Sequence, residues 1–359
     1  MAESTTTTTR PVVKIGGRQS KLALWQSRTV QARLTELFPE YDFQLSAKAS
    51  NVAGDRDKVR TLRSLNRDAE SSGTSIWTTE LEDALIAGEL DLLVHALKDC
   101  PTTVREGCEI IPILDRENST DCLVVKAGLK YTSLDELPEG SLVGTGSIRR
   151  IAQLKKRYPG LKFQDLRGNI ESRLAKLDDP ESPYVVGILA SAGLIRIDLG
   201  HRIVTSLGPP ILYPAVSQGV LGAEVLTSNA KVRAMAAALE VPQAGYAARA
   251  ERALLRELEG GCAVPIGVWT TVTKGGVDSA GAGTASEEWT VSVQAILTSP
   301  DGSKEVRVEE SALVRSATDA AEIGTRAAVR IAAGGGREIM DKLRDDIAKA
   351  SKADADKVL

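Results

Sequence analysis

Two segments of the chain, KIGGRQSKLAL from Lys14 and LVGTGSIRRIAQL from Leu142, repeat one arrangement: strand-like apolar residues, a glycine-containing turn, a serine, then an arginine beside or within the helix. At such a turn the first helical N–H groups lack partners and the helix dipole is positive. A carboxylate or phosphate can therefore be held by backbone amides together with Ser20 or Ser147. Arg18, or Arg149 and Arg150, would add a forked, charge-assisted grip. One such turn is an ordinary helix cap; two, with Arg167, Arg173 and Arg196 at or after further strand ends, point to a cleft lined by guanidinium groups whose ligand carries several carboxylates.

Asp99 follows the apolar run LLVHAL and is expected at the carboxyl end of a strand, where a partly desolvated carboxylate can stabilise a cation formed during reaction. Lys98 beside it would help keep it ionised. Taken alone, the two residues read more readily as a structural Lys-Asp pair at a loop mouth. Cys262, in LEGGCAVPIG, stands between glycines that free the backbone and Pro265, which fixes the exit; the setting suits a thiol projected as an attachment point, or a small buried hydrophobe. His95 reads as structural, with no nearby cysteine or histidine to make a metal site.

Strands alternating with helices must position these groups. VVKIG (12–16) reads as a buried strand and Ser20 as the cap of a helix bearing Leu22, Trp25, Val30, Leu34 and Leu37; TTELEDALIAG reads as a second helix feeding the strand 90–97. The pattern restarts with DCLVV, SLVGTG, FQDLRG and VVGILA, with helices from Ser147, Asn169 and Ser191. The last third changes to an alternating hairpin with a Pro300-Asp301-Gly302 turn and alanine-rich helices near 318–333 and 338–350. The expected fold class is α/β: two lobes with largely parallel sheets, ligands lying beyond the strands' carboxyl ends, plus a C-terminal α+β domain. The expected division is a disordered tail over 1–10, a first lobe over 11–117 plus about 217–239, a second lobe over 118–216 and a third domain over 240–359.

Composition narrows the function. A chain of 359 residues exceeds one ordinary core, so clefts between domains are expected. No run of 18 apolar residues could cross a bilayer, and the N-terminus lacks a secretory signal's apolar core. Four cysteines without a CxxC pair, and two histidines, fit a reduced, metal-free cytoplasmic protein. Net charge is only -3, yet nine Lys or Arg fall between Thr145 and Lys176 against Asp165 and Glu171; a solvated helix face and an anion site are the competing explanations. Nucleic acid fits poorly, because aromatic residues are 4% and the basic segment lacks interleaved stacking platforms.

In order along the chain, GGRQSKLA, WTTELEDAL, VHALKDCPT, DRENSTDCLV, GTGSIRRIAQL, LRGNIESRL, ILASAGLIR, AVSQGVLGAEV and AERALLRELEGGCAVPIG resemble the porphobilinogen deaminase (hydroxymethylbilane synthase) family. The resemblance implies two periplasmic-binding-protein-like lobes and a third domain whose cysteine, matched by Cys262, carries a covalent dipyrromethane cofactor made from substrate. It implies a transferase that joins four porphobilinogen units head to tail on that primer, loses ammonia at each step and releases hydroxymethylbilane for haem biosynthesis. Asp99 matches the catalytic carboxylate that stabilises the azafulvene cation. Arg18, Ser20, Gln26, Lys98, Thr145, Ser147, Arg149, Arg150, Arg167, Arg173 and Arg196 match positions binding the acetate and propionate groups of cofactor or substrate. The partner would be the small molecule porphobilinogen, with no nucleic acid or membrane, and the protein a monomer.

The chain also departs from the family's pattern. Gly17 stands for a threonine, Ala96 and Gly146 for serines, Thr74 and Thr79 for lysines, and Ser217 for a glycine; residues 51–75, where the family has a mobile lid, are altered. A carboxylate-binding protein of the same fold with reduced or lost catalysis is the alternative expectation.

Overall fold

The computed structural model describes residues 10–46, 78–258, 264–275 and 288–355; the altered lid segment and Cys262 lie outside the described residues. In the first lobe β1 (Val12–Gly16) runs into a turn closed by Ser20, whose Oγ accepts the Ala23 N–H at 3.3 Å and so caps α1 (Lys21–Leu37). Val30 and Leu34 of α1 bury against Val13 and Ile15 of β1. β2 (Asp42–Leu45) and β3 (Leu92–Ala96) flank β1 in parallel. Before β3, α2 (Thr79–Ile86) stops ahead of Gly88, which takes the left-handed φ of 70° that ends helices. β4 (Cys108–Ile113) and β10 (Leu221–Leu226) complete a sheet of order β2-β1-β3-β10-β4.

The second lobe repeats the plan. β5 (Asp121–Val125), β6 (Leu142–Gly144), β7 (Lys162–Gln164), β8 (Val186–Ala190) and β9 (Thr205–Leu207) form a sheet of order β7-β6-β8-β5-β9. α3 (Ile148–Arg157), α4 (Ile170–Asp178) and α5 (Ser191–Arg196) interleave with it, the first two capped by Ser147 and Asn169. The parallel arrangement expected from the alternation holds for β2-β1-β3 and β7-β6-β8. Each sheet also takes a reversed strand, β10 or β5, that pairs antiparallel on both sides. Register gives the reason. The first residue of β5, Asp121, lies opposite Ala190 at the end of β8, and the first residue of β10, Leu221, lies opposite Ala96 at the end of β3. The chain crosses between lobes along the strands' carboxyl edge, so a strand entered from that edge must run backwards.

After α6 (Ala230–Ala237), α7 (Pro242–Glu257) starts with proline in its first turn, where no N–H is missed. The C-terminal unit is an antiparallel sheet of β11 (Ile266–Lys274), β12 (Trp289–Thr298) and β13 (Glu305–Val314). The β12–β13 turn places Gly302 at φ 79°. Val291, Val293 and Leu297 bury with Leu254 of α7 and Ile323, Ala327 and Ile331 of α8 (Ala317–Ile331). The two helices touch at Gly324, where a Cβ would meet the Ala250 carbonyl oxygen at 1.9 Å; only glycine allows that approach. α9 (Arg337–Ala355) follows one turn of wider helix whose Gly335 has φ 104°.

The two crossing segments are pinned to each other and to α7. Glu117 donates its N–H to Gly219 O at 3.1 Å, and Arg116 Nε to Gln218 O at 2.9 Å. The buried Glu251 carboxylate of α7 accepts Arg116 Nη1 at 2.6 Å and the Ser217 N–H at 2.6 Å. Ser217, the residue replacing a family glycine, sits at φ 58° with its buried hydroxyl unpartnered among the described residues. A left-handed non-glycine residue costs about 1–2 kcal/mol, and glycine returns only about 0.5–1 kcal/mol of that through the flexible unfolded chain. Ser217→Gly should therefore stabilise the protein by roughly 1 kcal/mol, read as a raised urea midpoint at unchanged m-value; a lowered midpoint would show that the serine is not strained.

Candidate functional site

At the carboxyl edge of the first sheet, Arg18, Ser20, Gln26, His95, Ala96 and Asp99 help line a small cavity of about 50 Å³. Leu97–Asp99 form a single 3-10 turn directly after β3, which stops that strand and turns Lys98 and Asp99 out of the sheet edge. Gln26 is buried on the face of α1 that looks toward β3. Beneath the cavity, the His95 ring nitrogen Nε2 lies 2.8 Å from Glu224 Oε2 of β10, both residues buried. His95 is thus part of a buried polar pair inside the sheet, as its strand position suggested.

From the second lobe, Thr145, Ser147, Arg149 and Arg150 gather at the start of α3. Thr145 Oγ1 accepts the Ser147 N–H at 3.3 Å, and Ser147 Oγ accepts the Arg150 N–H at 3.4 Å. The two arginine side chains turn inward. Asp121, fully buried at the start of β5, accepts Arg149 Nη1 at 2.8 Å and Arg150 Nε and Nη2 at 3.1 and 2.7 Å. Arg149 also donates to Tyr213 O at 2.6 Å and Arg150 to Ile188 O at 2.7 Å. Gln218 Nε2 donates to Asp121 Oδ1 at 3.0 Å while its Oε1 accepts Lys98 Nζ at 3.2 Å, so one amide joins the Asp121 cluster to the turn bearing Asp99. Burial alone would raise the Asp121 carboxyl's pKa, but the two guanidinium groups outweigh it and hold it far below the usual carboxylate range.

Two cations near Asp99 are short of compensation. Lys98 is pulled down to about 8 by burial, with Arg150 and Arg149 repelling it against the attraction of Asp99. Arg173 of α4, bonded through Nε to Gly168 O at 2.7 Å, is pulled down to about 10 by burial and by Arg150, again against Asp99. Arg167 pairs with Asp165 at 2.5 Å. Arg196 is buried, lies 5.6 Å over the Trp25 ring and donates to Gly219 O at 2.6 Å; burial lowers it to about 10. The basic segment therefore divides: Lys155, Lys156, Arg157, Lys162 and Lys176 are exposed, whereas Arg149 and Arg150 are buried.

Sequence reasoning missed Asp121, Gln218 and Glu251. The available signal was a charged residue opening the fully apolar strand DCLVV, which has to find partners when buried. Asp121→Asn keeps the volume but leaves two buried guanidinium groups without their counter-charge, and should cost on the order of 3–5 kcal/mol in urea unfolding. Because the folded carboxyl's pKa is depressed, its contribution is present above the unfolded value and disappears only as pH falls toward the folded one. An Asn variant within about 1 kcal/mol of the parent would mean that the pair is already solvent-relieved.

The family description "porphobilinogen deaminase, dipyromethane cofactor binding domain" matches residues 13–234, and "porphobilinogen deaminase, C-terminal domain" matches residues 246–333. The porphobilinogen deaminase of Debaryomyces hansenii is 43% identical over 336 residues, covering 92% of this chain and 88% of the relative. That of Yarrowia lipolytica is 40% identical, covering 93% and 94%, and that of Saccharomyces cerevisiae 40% identical, covering 92% and 97%. With both domains matched in order and relatives aligned nearly end to end, the chain belongs to the porphobilinogen deaminase family.

Proposed function

We propose that Asp99 is the catalytic carboxylate of this transferase of tetrapyrrole biosynthesis, which condenses four porphobilinogen units head to tail and releases ammonia and hydroxymethylbilane. The observation that carries the assignment is the position of Asp99: a carboxylate at the strand edge, among cations with too little negative charge to neutralise them. A dipyrromethane brings four carboxylates, and the pair Lys98 and Arg173 has the charge deficit that such a group fits.

The cofactor supplies the free pyrrole carbon that starts each chain. The residues of this protein do the rest. Arg18, Ser20, Gln26, Lys98, Thr145, Ser147, Arg167, Arg173 and Arg196 hold acetate and propionate groups through charge-assisted hydrogen bonds. Arg149 and Arg150, whose forks serve Asp121, act through the fixed positive charge they place behind the site and through N–H groups that Asp121 does not take. Asp99 faces the cation that porphobilinogen becomes when its ammonia leaves, and a preorganised negative charge there lowers the barrier. Cys262 anchors the cofactor through a thioether, a thiolate being the nucleophile that captures a deaminated pyrrole. The reading takes lobe boundaries near 117, 217 and 240, and a cytoplasmic monomer acting on a small molecule without nucleic acid. No helix among the described residues is long and apolar enough to cross a membrane.

Intact mass spectrometry tests the assignment. Protein made in cells that supply porphobilinogen should exceed its bare mass by two deaminated porphobilinogen units, and Cys262→Ser should return to the bare mass without activity. Asp99→Asn should bind porphobilinogen but scarcely turn it over. An active Cys262→Ser variant, or Asp99→Asn with full turnover, overturns the respective role.

The lowered Lys98 gives a pH signature. Its charge is complete below about 8 and lost above it, so kcat/KM, which reports the free enzyme, should fall as pH rises through that value. Lys98→Arg keeps its charge and should remove that limb; an unchanged alkaline limb would exclude Lys98 from substrate binding.

A further inference from the structure

Behind the turn that carries Asp99, on the side away from the cleft, lies a second and larger cavity of about 390 Å³ between β4, α7 and Ala321 of α8. β4 is the edge strand of the first sheet. Its apolar walls include Leu97, Val104, Ile110 and Pro112, and the α7 wall presents Arg249, Arg252 and Arg256. Spacings of three and four residues place these arginines along one side of the helix.

The three are not equivalent. Arg249 is taken by the Glu240 carboxylate, Nη2 to Oε2 at 2.9 Å. Glu109, a carboxylate in the cavity wall, is paired with Arg233, so it does not compete for the remaining cations. Arg252 reaches under the catalytic turn and donates Nη1 to Cys100 O at 3.4 Å and Nη2 to Pro101 O at 2.5 Å. Arg256 is exposed, and its guanidinium makes no hydrogen bond or ion pair among the described residues. A cavity of this size with apolar residues on one side and an open guanidinium on the other suits an amphipathic anion rather than a bare inorganic one.

The geometry points to a second ligand site here, taking a small apolar molecule that bears a carboxylate, with the carboxylate on Arg256 and the body against Leu97 and Ile110. The site meets the turn bearing Asp99 at Leu97, which belongs to that turn, and communicates with the backbone after it through Arg252. A carboxylate drawn between Arg256 and Arg252 competes with the Cys100 and Pro101 carbonyls for the Arg252 fork, and those carbonyls hold the backbone immediately after Asp99. Occupancy should therefore lower kcat while leaving KM nearly unchanged, because the groups proposed to hold substrate carboxylates lie on the other side of the turn. This kinetic consequence rests on the assignment of Asp99; the binding itself does not.

Naphthalene-2-carboxylate is a suitable probe, since its fluorescence reports binding independently of turnover. The holoenzyme should bind it saturably, one per chain, without displacement by porphobilinogen. Arg256→Met should weaken binding roughly tenfold, the scale of one charge-assisted hydrogen bond. Ala321→Phe, which fills the chamber from α8, should abolish it, with both variants keeping parental turnover when the probe is absent. Displacement by porphobilinogen, equal affinity in all three proteins, or no saturable binding would each overturn the site. Binding at Arg256 with unaltered kcat would overturn the link through Arg252, and loss of turnover without the probe would place Arg256 in the catalytic machinery instead.

Discussion

The Asp121 carboxylate is the contact on which the arrangement of the site depends. It is fully buried, and it stays ionised because Arg149 and Arg150 converge on it with three hydrogen bonds and Gln218 adds a fourth. A buried pair of this kind contributes little net stability compared with an apolar replacement, because desolvation offsets most of the attraction. Its effect is on geometry. It fixes the first turn of α3 against the first residue of β5, at the point where the chain enters the second lobe. Through Gln218 it also reaches Lys98 of the first lobe. One charge thus ties together helix start, crossing segment and the turn that carries Asp99.

The electrostatics of the cleft follow from that contact. Asp121 offsets only part of the charge of two guanidinium groups, and the residual positive field falls on Lys98 and Arg173, both half-buried and partly desolvated. Such a site is poorly satisfied by itself and would be better satisfied by carboxylates, which is why the proposed ligand fits it. The same field keeps the region around Asp99 suited to a negative group.

Topology places this chemistry. The reversed strands β5 and β10 begin where the parallel strands end, so both crossings run along the edge occupied by the site. Glu251 of α7 then gathers Arg116 and Ser217 from the two crossings onto one carboxylate. The C-terminal unit is thereby attached to both crossing segments, in addition to the contacts Arg252 makes with the first lobe. Substitution at Ser217 acts on the same clamp.

The sequence by itself determined the local elements and the chemical inventory. The caps at Ser20, Ser147 and Asn169, the strands VVKIG and DCLVV, the hairpin around Pro300-Asp301-Gly302 and the turn bearing Asp99 were all legible, because capping, periodicity and turn preference act over a few residues. The excess of arginine near the second glycine turn was legible too, and it motivated the expectation of a ligand with several carboxylates. Tertiary structure decided which of those arginines turn inward. Arg149 and Arg150 sit in the same run as Lys155 and Lys156, and nothing local separates them; the distinction comes from Asp121, 28 and 29 residues away. The backward course of β5 and β10, the Glu251 clamp and the Glu224 partner of His95 were equally hidden, the last pair being 129 residues apart. Burying an ionised group requires a counter-charge from wherever the fold can bring one, and that requirement acts through space rather than along the chain.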